Sequence, residues 1–384
     1  MNPVVKWTGG KRSEIPFLKP HYPVGFVRVV EPFSGGAAVA WDLDGVPAVI
    51  NDINGGLIGF YRTLKDPIQR ATCKAALEVI NARRLTLHAA VSALPDTEVR
   101  AFFTDPAAWA ARHHATLIAP ASLPTLDARF EALVLKHGKS KTQRIAKIEG
   151  TRAEAFSLDN MRAHLETALQ SAWYEVMREI YNRQLDVPDG WAGAAWWAVR
   201  VLCYSGMFRF SRKGLFNVPY GGISYNARDF KPSIKELFGP ARVAAWDRFT
   251  IEQQDFDALM AAYHHFNADD FLFIDPPYDS TFSQYNVEGD FTASDQARLR
   301  DALEASPAKW MVVIKRTAYI EGLYAQRGHH CYVFDKTYAV NFRNRHDRGV
   351  QHLVVTNYPL VLRAQGEALR PLDQADPLTD PLDA

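Results

Sequence analysis

Apolar runs closed by proline, glycine or an acid recur along this chain, separated in the middle by a long stretch of helical period. Phe26-Val27-Arg28-Val29-Val30, Ala48-Val49-Ile50 and Phe249–Phe256 read as strands. So do Phe271–Ile274, Trp310–Lys315, Cys331–Phe334 and His352–Asn357, the last two as an antiparallel pair completing a sheet. The run Phe271-Leu272-Phe273-Ile274 is unbroken, as a strand covered on both faces of a parallel sheet must be. It ends at Pro276-Pro277, because neither proline can donate a ladder hydrogen bond. From about Leu64 to Gln184 the chain is rich in Ala, Arg, Glu and Leu, broken by Pro95, Pro106, Pro120 and Pro124, and reads as mostly helical. The period is clearest from Met161 to Tyr181, where Leu165, Leu169, Trp173, Val176 and Ile180 share one face.

Strands at both ends and helices between them divide the chain in sequence. Residues 1–64 with 235–362 form a discontinuous α/β domain, and 65–234 form a helical insertion bearing a hairpin at 204–222. Residues 363–384 carry Glu367, Asp373, Asp376, Asp380 and Asp383 among prolines, and read as a solvated, disordered tail. At 384 residues, 47% apolar and 23% charged, the composition is that of an ordinary globular protein. No apolar run has the length of a membrane span, and the start lacks a signal-peptide pattern. The distant cysteines Cys73, Cys203 and Cys331 argue against a disulfide scaffold or a zinc site and fit a reducing cytoplasm.

Net charge of +1 says little about nucleic acid; local clustering says more. Between Lys136 and Arg152 six Lys or Arg face the single acid Glu149, a stretch read as a mobile loop with a solvated face, phosphate contact being the sharper alternative. Ser205-Gly206-Met207-Phe208-Arg209-Phe210 and Leu215-Phe216-Asn217-Val218-Pro219 flank the turn Arg212-Lys213-Gly214, where a glycine permits positive φ. A basic, aromatic two-stranded ribbon of this kind has the dimensions to enter a DNA major groove; a plain hairpin covering the core is the bland alternative. Asn341-Phe342-Arg343-Asn344-Arg345-His346-Asp347-Arg348 is a second basic loop.

Candidate chemistry gathers at strand ends. Asp275-Pro276-Pro277-Tyr278 places a carboxylate, a stiff turn and a ring where open α/β sheets bind ligands. A flat aminated ring stacked on Tyr278 can give its amino protons to Asp275 and to the Pro276 carbonyl. Glu31-Pro32-Phe33-Ser34-Gly35-Gly36 opens a nucleotide-binding βαβ unit, yet it lacks the G-x-G-x-x-G pattern and carries an acid that repels pyrophosphate. Asp52 follows Gly35 by 17 residues, near the spacing of an acid that grips ribose hydroxyls. A helix cap near Asn54 is the other reading of Asp52. These charges permit an adenosine-like ligand without phosphate.

In this order, Lys6-Trp7-Thr8-Gly9-Gly10-Lys11, Glu31–Gly36, Asp52-Ile53-Asn54, the ribbon ending Gly214–Gly221 and Asp275–Tyr278 resemble the Dam-type adenine-N6 DNA methyltransferases of the D12 class. The resemblance implies a Rossmann-like sheet dependent on S-adenosylmethionine, with a mostly helical target-recognition domain inserted. It implies Trp7, Lys11, Glu31, Phe33, Gly35, Asp52, Asp255 and Asp275 around the donor. Asp275, Pro276, Pro277 and Tyr278 would act on an adenine flipped from duplex DNA, with no metal. Ser205, Met207, Arg209, Arg212, Lys213 and Pro219 would meet DNA, with Arg209 reading a base. Ser205, Lys213 and Leu215 depart from the usual ribbon, and Ile314-Lys315 replaces a common Ser-Asn, so a GATC target is not implied. A cognate restriction endonuclease is a candidate partner; oligomeric state is left open. The other readings are a DNA-binding regulator with a vestigial pocket, or a methyltransferase acting on RNA or protein glutamine.

Overall fold

The computed structural model describes residues 1–7, 9–119, 122–150, 156–207, 209–262, 266–277, 291–337, 349–362, 368–376 and 378. They form two compact units, Met1–Ile58 with Ala244–Ala384, and Gly59–Val243.

The first unit is built on a sheet of β1 (Arg28–Glu31), β2 (Ala48–Asn51), β3 (Phe249–Glu252), β4 (Asp270–Ile274), β5 (Lys309–Lys315), β6 (His330–Thr337), β7 (Gly349–Thr356) and β8 (Arg370–Pro371). Their order is β3-β2-β1-β4-β5-β7-β6-β8. Strands β3, β2, β1, β4 and β5 are parallel, whereas β7 runs antiparallel to both β5 and β6. Every residue of β2 and β4 is buried, which explains their unbroken apolar runs. On one face Leu272, Ile274, Trp310, Val312 and Val355 pack with Leu299, Leu303 and Tyr324. Consecutive strands leave β1 toward β2 and resume on its other side at β4, so the strand order reverses there. Such a switch point opens a crevice at the carboxyl ends of the strands.

Two expectations change here. The strand expected over Phe249–Phe256 stops at Glu252, because Asp255 turns the chain by capping the helix Phe256–Ala262. The expectation of a solvated tail from residue 363 fails for residues 368–376. Leu369 is buried, Arg370–Pro371 pairs with β6, and the Arg370 guanidinium meets Asp335. Arg316 also donates to the Asp376 carbonyl. One apolar anchor and two cations outweigh the acidic composition; residues 363–367, 377 and 379–384 lie outside the described residues.

The second unit is helical, chiefly Pro67–Ala93, Pro124–Glu149, Leu158–Tyr181 and Asp189–Leu202. Asp66 caps the first of these by accepting from the N–H groups of Ile68 and Gln69, with Pro67 at its first position. Leu165, Leu169, Trp173, Val176 and Ile180 are buried together, as their spacing requires. The basic stretch read as a loop is helical as far as Glu149. Leu126, Phe130, Leu133, Val134 and Ile145 keep an apolar stripe beneath its charges, and Lys136 and His137 both meet Glu175. Residues 151–155 at its end lie outside the described residues.

Candidate active site

The loop leaving β1 is shaped by two positive φ angles, 46° at Gly35 and 53° at Ala37. A Cβ on Gly35 would lie 2.6 Å from Cδ1 of Trp7, so only glycine lets the indole rest on this turn. The turn is then held from β2: Ser34 N–H donates to the Asn51 carbonyl at 2.8 Å, and Gly35 N–H to Asp52 Oδ2 at 3.0 Å. Asp52 Oδ1 accepts from Asn54 N–H at 2.9 Å. Asp52 therefore both shapes the chain ahead of the helix Gly55–Lys65 and fixes the glycine turn. Asn51 donates to the carbonyls of Pro32 and Gln254 and accepts from Gln254 N–H, stitching together the ends of β1, β2 and β3.

Glu31 ends β1 at only 4% exposure, and its Oε1 accepts from Ala40 N–H at 2.7 Å. That N–H belongs to the first turn of Ala38–Asp42, where helix donors lack intrahelical partners. Burial raises the Glu31 carboxyl to about 8; the Ala40 N–H opposes this and the nearby Asp275 charge adds to it. Burial also pushes Asp52 upward against its two N–H bonds. Phe33 closes one side, with ring centroids 5.4 Å from Phe256 and 5.5 Å from Phe291. Asp255 makes its contacts elsewhere, accepting from Arg298 at 2.9 Å as well as from Asp257 N–H.

The folded chain holds the Glu31 proton up to about pH 8, whereas unfolding returns the group to its ordinary 4.5. The folded state thus binds the extra proton between those values, and this group's contribution to stability falls as pH rises through them. Glu31→Gln is expected to gain stability relative to wild type across that window. Denaturant midpoints at about pH 5 and about pH 8 test this. A difference that does not change with pH contradicts it.

Asp275 follows β4, and its carboxylate is met by the Lys11 ammonium, which is 2% exposed and also donates to the Gly9 carbonyl. Burial raises the Asp275 carboxyl, with Lys11 as the main opposing charge. Behind this pair Lys336 meets buried Glu14, which also accepts from Ser13 Oγ. His352, fully buried in β7, is held down to about 3 by burial and by the charges of Lys11, Lys336 and Lys315, so its imidazole is neutral. The Pro277 carbonyl accepts from Gln296 Nε2. The sequence reading missed Glu14, Asn51, Gln296, Lys336 and His352. Only His352 carried a signal, a polar residue inside an apolar strand. Tyr278 and the basic loop 341–348 lie outside the described residues.

In the helical unit, among the described residues, the arms of the expected ribbon meet at two isolated bridges, Cys203 with Tyr220 and Phe210 with Phe216, and through single backbone bonds such as Asn217 N–H to the Arg209 carbonyl. Pro219 cannot donate, and Ser205 and Gly206 take positive φ of 54° and 64°, so a continuous ladder cannot form. The turn closes through Gly214 N–H to the Ser211 carbonyl, with Gly214 at φ 73°. Phe216 and Val218 are buried, and their carbonyls accept from Asn182 and from Tyr174 of the helix Leu158–Tyr181 and its cap. Ser205, Arg209, Arg212, Lys213 and Pro219 stay exposed, and Met207 is half-buried. The Arg209 guanidinium is steadied by Asn217 Oδ1 at 2.8 Å. Among the described residues no helix is long and apolar enough to cross a membrane, and no group of three His, Cys, Asp or Glu could hold a metal.

A sheet of this order, with acids at the ends of its central parallel strands, is consistent with a Rossmann-like methyltransferase. The family model for D12 class N6 adenine-specific DNA methyltransferase matches residues 7–87 and 151–340, and the chain belongs to that family. It is 22% identical over 363 residues to the Type II methyltransferase M.CviBI of Paramecium bursaria Chlorella virus NC1A, covering 93% of this chain and 100% of that protein. It is 25% identical over 333 residues to the Retron Ec67 DNA adenine methylase of Escherichia coli, covering 86% of this chain and 83% of that protein. A shorter match, 39% over 62 residues, is to the DNA N-6-adenine-methyltransferase of Escherichia phage P1, covering 16% of this chain and 8% of that protein.

Proposed function

We propose that this adenine-specific DNA methyltransferase takes its methyl group from S-adenosylmethionine held by Trp7, Lys11, Glu31, Phe33, Gly35 and Asp52, with Asp255 at the rim. The observation that carries the reading is the acid cluster around the glycine turn, with Glu31 buried and Asp52 and Asp275 half-buried. Asp52 fills two of the about four acceptor positions of a carboxylate, leaving room for hydroxyl donors. Ser34 Oγ in the same turn is buried with no partner among the described residues. Glu31, Asp52 and Asp275 outnumber the buried cation Lys11, which suits a cationic ligand that stabilises their charged forms. The donor supplies an electrophilic methyl on a sulfonium.

Asp275 and the Pro276 carbonyl accept the two hydrogen bonds of the target amino group, and Tyr278 stacks on the flipped base. The amino lone pair is delocalised into the ring; acceptors on both N–H bonds favour a pyramidal nitrogen. The contribution is positioning and electrostatics. Arg209, Arg212, Lys213, Ser205, Met207 and Pro219 meet the duplex, with Arg209 reading a base edge. The enzyme acts in the cytoplasm, and the Type II names of relatives suggest a cognate restriction endonuclease as partner.

Asp52→Ala is expected to weaken donor binding by on the order of 10- to 100-fold, the worth of a charge-assisted hydrogen bond, with little effect on DNA affinity. Calorimetry with donor and gel shifts with duplex separate the two; an equal loss of both points to a folding role. The function itself is tested by incubating the protein with labelled donor and duplex DNA, RNA or protein in parallel. Label in DNA alone supports the reading, and label in RNA or protein alone sinks it.

A further inference from the structure

The helix Ala293–Ala305 opens with a capping box: Thr292 N–H donates to Asp295 Oδ2 at 2.8 Å, and Asp295 N–H to Thr292 Oγ1 at 3.4 Å. Those bonds fix the first turn, and in it Gln296 is fully buried. Its Nε2 donates to the Pro277 carbonyl at 3.0 Å. Its Oε1 is buried with no partner among the described residues. A buried oxygen left unpaired costs about 1–3 kcal/mol, a cost that a methionine of similar volume would avoid. Burial of an amide here is therefore accounted for by the bond that Nε2 makes. Neither Pro276 nor Pro277 has an N–H, so this backbone can be gripped only through its carbonyls. The rings hold φ near about −65°, and anchoring the Pro277 carbonyl leaves the Pro276 carbonyl little freedom to turn.

We propose that Gln296 is a positioning residue for methyl transfer, gripping Pro277 so that the Pro276 carbonyl and the Asp275 carboxylate stay aimed at the target amino group. The inference rests on the adenine-methylation reading above. Its test uses the full chain, labelled donor and unmodified genomic DNA. Gln296→Met keeps the volume and removes the donor. It is expected to lose on the order of 10²-fold in methylation rate, the cost of misplaced reacting groups, with donor affinity and melting temperature close to wild type. Gln296→Glu replaces the amide by a group that donates only when protonated. Its rate relative to wild type is expected to rise as pH is lowered, a profile that a merely space-filling role would not produce.

A wild-type rate in Gln296→Met overturns the inference, as does a rate loss matched by equal losses of donor affinity and melting temperature. An unchanged pH profile in Gln296→Glu also overturns it. Wild-type protein that labels RNA or protein in place of DNA refutes the adenine reading instead; the variants are then scored on that acceptor by the same criteria.

Discussion

Asp275→Ala is expected to lower methyl transfer to DNA by on the order of 10²–10³-fold, the loss seen when a group stabilising the transition state is removed. Asp275 stands at the carboxyl end of β4, and burial makes its carboxylate a strong acceptor for an amino proton. The substitution also strands the buried Lys11 cation, and breaking a buried ion pair costs about 3–5 kcal/mol. Asp275→Asn also removes the charge but keeps the bulk and an oxygen that can accept from Lys11, so melting temperatures of the two variants beside their rates separate the stability loss from the loss of chemistry. Calorimetry should show the donor still binding to Asp275→Asn. Near-normal turnover in either variant would falsify the assignment.

Arg209→Ala is expected to cost about 1–3 kcal/mol of affinity for the recognition site, with preference relaxed at one base pair. The guanidinium is exposed yet oriented by Asn217, and the arm beside it is anchored through Phe216 and Val218. A preoriented cation loses less freedom on meeting a guanine edge than a free one. Competition binding with recognised and scrambled duplexes reads the effect. Equal loss on both would assign Arg209 to phosphate contact instead.

The sheet was legible because its parallel strands are covered on both faces, so their apolar runs are unbroken and end abruptly at prolines or acids. The same ends pointed to Glu31, Asp52 and Asp275. What joins them was not legible, because it depends on partners far apart in sequence: Lys11 meets Asp275 across 264 residues, and Lys336 meets Glu14 across 322. Gln296 went unread, because only the fold brings its amide to Pro277, 19 residues away in sequence. Residues 136–149 were read as a loop because their charges interrupt the apolar stripe that Phe130, Leu133 and Val134 begin and Ile145 continues. The ribbon's aromatic and basic texture was visible, whereas the positive φ at Ser205 that interrupts its pairing was not.

The central claim is that this chain methylates the N6 amino group of adenine in duplex DNA. It is tested most directly by mass analysis of nucleosides from unmodified duplex DNA treated with the protein and isotopically labelled S-adenosylmethionine. The account predicts the label in N6-methyldeoxyadenosine, present with wild-type protein and lost with Asp275→Ala. Label on cytosine, or label on adenine that survives Asp275→Ala, would contradict it.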